Sequence, residues 1–108
     1  MRAYHIFYTK DMREYQFKKM LTKEDVQNYG YILSGEAADK EAVFMHMQGE
    51  VWSPNGEARD LISKSGTHHT SMSVGDVLIE DGIPFLCAGE GWIELPRELA
   101  GDFYGIMV

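Results

Sequence analysis

The dipeptide Asp81-Gly82, set between the runs SVGDVLIE and IPFLCAGEG, constrains this chain more than any other feature. Asp-Gly between apolar runs is a strong tight-turn signal and ties its two flanks into a hairpin. Gly89 and Gly91 bracket a second turn before WIEL. Three strands of a small antiparallel meander follow for the last third of the chain.

The upstream segments are mixed. Residues 2–9 (RAYHIFYT) carry the aromatic and β-branched types of a strand. Residues 13–20 alternate Tyr15 and Phe17 with polar neighbours and suggest a second strand. TKEDVQNYG opens with Thr22, with Asp25 three residues on, a capping-box pattern that predicts a short helix ending near Gly30. Residues 31–34 suit a short strand or a connection. Residues 36–48 favour a helix capped by Asp39, with an apolar face of Ala42, Val43, Phe44, Met45 and Met47. The methionines there suit soft core filler, and His46 a partly exposed or hydrogen-bonded side chain. A further helix is expected over 53–65, with Ser53 as cap, Pro54 in the first helical position, Glu57 in the first turn and Gly66 as the stop. Gly56 weakens its start by about 1 kcal/mol relative to alanine, which a close backbone approach would explain. The tail ends apolar, with Phe103, Tyr104, Ile106, Met107 and Val108. It predicts docking on the body or on a second subunit, and a homo-oligomer, dimer or higher. These elements give an α+β class: one small domain, 1–108, with a few helices packed on an antiparallel β-meander. Repeats, low-complexity segments and linkers are not evident.

Composition narrows the function classes. With 17 acidic and 10 basic residues the net charge is −7, opposite to the basic face of a DNA or RNA binder. The single cysteine, Cys87, forms no internal disulfide, sits among apolar residues and reads as an inert core thiol. The N-terminus lacks the apolar core of a signal peptide, and no run approaches the roughly 18 apolar residues of a membrane span. A soluble cytoplasmic protein without membrane partners is expected.

Residues 47–78 concentrate the chemistry: Trp52, Asn55, Glu57, Arg59, His68, His69, Thr70, Ser71, Ser73 and Asp76. Adjacent His68 and His69 would face opposite ways on a strand, and no Cys or His cluster completes a zinc site, so no metal is expected. Ser71, Ser73, His69 and Asp76 are the residue types of a hydrolase, without a nucleophile elbow. Phosphate-loop motifs are absent. A helix start at SPNGEARDLI offers an anion site, with Asn55 as donor and acceptor and Arg59 as a bidentate phosphate contact; the plainer alternative is a capped surface helix with a solvated arginine. Thr70, Ser71, Ser73 and the histidines suit hydrogen bonds to phosphate or ribose, or simply a polar loop before a strand.

WSPNGEARDLI followed by HHTSMSVGDVLIEDG resembles the Thoeris anti-defence sponge family. These are phage proteins that bind cyclic ADP-ribose signals made by bacterial TIR enzymes; some members also sequester cyclic oligonucleotides. SMSVGDV is similar to YodL-like accessory proteins of phages and plasmids. The resemblance covers residues 47 to about 95. It implies an α/β fold, dimers or larger rings, pockets at subunit interfaces, and capture without turnover in the cytoplasm of the infected bacterial host. No pocket residue is carried over from it by position.

The expected function is therefore non-hydrolytic sequestration of a cyclic nucleotide, with no cofactor. The candidate ligand-binding residues, chosen for their chemistry, are Trp52, Asn55, Arg59, His68, His69, Thr70, Ser71, Ser73, Phe85 and Arg97. Arginines would pair phosphates, and an aromatic such as Trp52, Phe85 or Trp92 would cover the base. The rivals are an acidic phage or plasmid protein that inhibits a host enzyme by direct contact, and a small nucleotide hydrolase using His69.

Overall fold

The computed structural model describes residues 1–49, 52–53 and 55–107. The expectations for Pro54 and Val108 lie outside them. One five-stranded antiparallel sheet organises the chain: β1 Arg2–Thr9, β2 Tyr29–Ala37, β3 Val77–Glu80, β4 Ile83–Ala88 and β5 Gly91–Glu94, in the order β2-β1-β3-β4-β5. The α+β class holds, and β3-β4-β5 form the expected meander. The N-terminal strand is inserted between β2 and β3, next to the middle of the sheet.

Period-2 alternation explains why both faces are covered. On β1, Tyr4, Ile6 and Tyr8 point to one face and Phe7 to the other; on β3, Leu78 opposes Val77 and Ile79. A β-bulge at Ile6/Phe7 opposite Ile32 adjusts the β1–β2 register. One face packs against α1 (Met12–Tyr15), a 3-10 helix (Lys23–Asn28) and α4 (Glu98–Gly105). The other packs against α2 (Lys40–His46) and α3 (Glu57–Ser65). At the β3–β4 turn, Asp81 and Gly82 both have positive φ, 47° and 87°, and Asp81 Oδ1 accepts the Ala3 N–H at 2.9 Å.

Several expectations are corrected. Residues 13–20 form no strand: Asp11 Oδ1 accepts the Glu14 N–H and starts α1 instead. Tyr15 is then buried while Phe17, on the same parity, is 82% exposed. The segment after Thr22 is a 3-10 helix ending at Asn28, with Asp25 bonding back to the Thr22 N–H at 2.7 Å, and Gly30 belongs to β2. Residues 36–37 continue β2, so the next helix starts at Lys40, with Asp39 as its cap. Val43 and Met47 are core, whereas Met45 is 72% exposed. Ser73–Asp76 is a turn, not strand, because Gly75 takes φ 100° and Asp76 N–H donates to Ser73 O. The tail docks on the chain's own body through Leu99, Ala100 and Phe103.

Candidate functional site

The loop between α3 and β3 is built around one buried carboxylate. Asp76, fully buried, accepts hydrogen bonds from the backbone N–H groups of Thr9 and Ser73, each at 2.8 Å, and pairs with His69 Nε2 at 2.9 Å. Burial pushes the Asp76 carboxyl above its ordinary range, against the pull of His69 and the two N–H donors. The His69 ring stacks on Tyr8, with centroids 4.6 Å apart, and the Tyr8 hydroxyl donates to Thr70 O. Burial also raises the Tyr8 hydroxyl. His69 is thus clamped between a carboxylate and a ring.

The hydroxyls of this loop serve its own backbone. Ser71 Oγ accepts the Gly49 N–H and Ser73 Oγ donates to Ser71 O. Trp52 Nε1 donates to Gly49 O and Thr70 O, each at 3.0 Å, tying Gly49 and Trp52 to the same loop. His69 and Asp76 therefore form a pair, while the two serines are engaged with backbone rather than with His69.

The start of α3 differs from expectation in a useful way. Gly56, with φ 89°, is the N-cap; among the described residues nothing lies within 4 Å of where its Cβ would be, and it serves left-handed backbone. Ser53 lies further back, but its Oγ accepts the Ala58 N–H at 2.6 Å and donates to Glu57. The Glu57 carboxyl is held below its ordinary range, chiefly by its own backbone N–H, then by Ser53 and Asn55. A serine, a glutamate and Asn55 thus already occupy the anion-attracting end of α3. At the other end Gly66 has φ 78° and stops the helix as expected.

What the sequence-selected residues share lies at that other end. Arg59, His68 and Thr70 line one groove of about 380 Å³ with Ile62, Ser63, Gly66 and Thr67. Its described lining contains no carboxylate. The remaining candidates are dispersed. Asn55 is exposed at the turn before α3. His69, Ser71 and Ser73 are bonded within the loop. Trp52 lines a different groove. Phe85 carries the Lys40 ammonium 4.2 Å from its ring centroid, and Arg97 stands at the N-cap of α4, in the layer across the sheet. Trp92 meets Phe44 edge-on.

Two features escaped sequence reasoning. A groove of about 540 Å³ lies between β2, β1 and α2, lined by Tyr4, Ile6, Leu33, Val43, Met47 and Trp52 among others. Beside it, buried Glu80 receives the Tyr4 hydroxyl in a short hydrogen bond, Arg2 Nη1 at 2.8 Å and Lys40 Nζ at 3.3 Å. The parity of β1, which puts Tyr4, Ile6 and Tyr8 on one face, was the available signal. The strand order that brings Glu80 beside Tyr4 was not. Cys87 is buried, and burial pushes its thiol up to about 12, as an inert core residue requires.

Among the described residues no group of three or more His, Cys, Asp or Glu side chains is arranged to hold a metal ion, and no helix is long and apolar enough to cross a membrane. No protein-family model, curated protein or solved structure matches this chain.

Proposed function

We propose that this chain captures a phosphate-bearing small molecule of the cyclic nucleotide class in the groove bordered by α3 and residues 66–70, and holds it without hydrolysing it. The observation that carries the reading is the convergence of Arg59, His68 and Thr70 on one concave surface of an otherwise acidic protein. A guanidinium can take phosphate oxygens bidentately, and an imidazole and a hydroxyl add donors around it. The volume, about 380 Å³, falls in the range of small-molecule sites. Thr70 is held in place by Tyr8 and Trp52 through its carbonyl, which leaves its side chain to line the groove. Sequestration in a bacterial cytoplasm, as an anti-defence protein of phage type, is the biological role that this chemistry suits.

Chemical fate is the test. Stoichiometric cyclic ADP-ribose isomers and cyclic dinucleotides are incubated overnight with the protein, released by heat and chromatographed. The reading expects at least one ligand to be retained on the native protein and returned intact. Conversion beyond a no-protein control, abolished by His69→Ala in a variant that still folds, would make the His69–Asp76 pair catalytic and overturn it.

A further inference from the structure

Residues 10–23 carry Lys10, Arg13, Lys18, Lys19 and Lys23 against Asp11 and Glu14, a local net charge of +3, which leaves −10 on the remainder of a chain whose total is −7. The same segment exposes Met12, Phe17 and Met20, with Phe17 at 82% and Met20 at 61%. Three exposed apolar side chains on one short basic segment form a candidate contact surface. The groove between β2 and α2 is its chemical complement. Its wall is apolar, with Ile6, Leu33, Val43 and Met47, and its volume is about 540 Å³. Exposed Glu36 lines it and exposed Asp39 follows at the β2–α2 connection, while the adjacent Lys40 is turned to Glu80.

We propose that a second copy of this chain seats Phe17 in the groove between β2 and α2, with Lys19 and Lys23 facing Glu36 and Asp39. Phe17 follows Tyr15 on the α1/α4 side of the sheet, whereas the groove belongs to the α2/α3 side, so one molecule cannot satisfy itself. The contact is head-to-tail: each copy offers a knob on one face and a groove on the other, and assembly proceeds to a ring or an open chain. An anionic lipid surface would meet the same basic loop, but the −10 remainder opposes approach to it, whereas that remainder is what attracts another copy. The assembly does not depend on the nucleotide groove, which lies elsewhere on the surface.

Sedimentation velocity across a concentration series, at low and high salt, reads this directly. The wild-type protein is expected to self-associate, more weakly at high salt. Phe17→Asp removes the knob and Ala42→Trp, at an exposed position lining the groove, fills the socket. Each is expected to weaken association roughly tenfold or more, with unfolding temperature unchanged. Mixed together, the two variants are expected to form a one-to-one complex and stop there, since each retains the half the other lacks. A wild-type protein that stays monomeric, an oligomer indifferent to Phe17→Asp, or variants that do not complement would each overturn the proposal. So would a monomer that instead co-sediments with anionic vesicles through Phe17.

Discussion

Glu80 shows how a single side chain couples the fold to pH. Burial alone would push its carboxyl up, but the Tyr4 hydroxyl, the Lys40 ammonium and the Arg2 guanidinium more than offset this, and the group titrates below its ordinary range. A carboxyl depressed in the folded state contributes stability that is present above its unfolded pKa and is lost as pH falls through the folded one. Glu80→Gln is therefore expected to be less stable than wild type at neutral pH. Its deficit should narrow on acidification from about pH 5 downward, as the wild type loses the contribution. Thermal unfolding followed between neutral and acid pH measures this; parallel curves for the two proteins would show that Glu80 does not carry the effect. Glu80 was visible in the sequence only as the last residue of an apolar run. Its partners Arg2 and Tyr4 lie 78 and 76 residues away, so local pattern held no trace of them.

At the scale of elements, local rules located what local chemistry determines. Asp81-Gly82 made its hairpin, Asp39 capped its helix and Gly66 stopped α3 because each acts through its own backbone neighbourhood. Residues 13–20 failed for the same reason in reverse: the alternation of Tyr15 and Phe17 matched a strand, but the Asp11 cap committed the backbone to a helical turn first. Gly30 is the instructive miss. Adjacent to the 3-10 helix in sequence, it looked like a helix stop, yet its role is tertiary. A Cβ there would sit 2.3 Å from Ser65 O and 2.8 Å from Ser65 Cβ, so the absent side chain is what lets the end of α3 lie against β2. Gly30→Ala must push backbone aside and is expected to cost about 2 kcal/mol or more, within the range for overpacking or above it. Chemical denaturation with an unchanged slope but a lower midpoint would record it, and a neutral result would mean that α3 can shift freely on the sheet. Because Ser65 adjoins Gly66 of the groove lined by Arg59, such a shift should also disturb the proposed ligand capture.

Across the whole molecule, charge and concavity are distributed unevenly. The body is acidic, the 10–23 loop is basic, and the groove at the C-terminal half of α3 is lined by Arg59, His68 and Thr70. Of the residues that sequence chemistry selected, only some line this groove. Arg59, His68 and Thr70 converge, while His69, Ser71 and Ser73 were consumed in holding the loop around Asp76, a role that their residue types suit equally well. Which of two chemically similar neighbours faces outward depends on the strand beneath, here Tyr8 of β1, and only the three-dimensional structure supplies that.

The most direct test of ligand capture is a calorimetric titration of wild-type protein and Arg59→Ala with cyclic ADP-ribose isomers and cyclic dinucleotides, alongside thermal unfolding of both. A charge-assisted phosphate contact contributes roughly 1.5–3 kcal/mol, whereas loss of an exposed arginine changes stability by less than about 0.5 kcal/mol. The account predicts that Arg59→Ala weakens binding of the retained ligand by about tenfold to a hundredfold with little change in unfolding temperature. Equal affinity in the two proteins, or no binding by the wild type across these ligands, would contradict it.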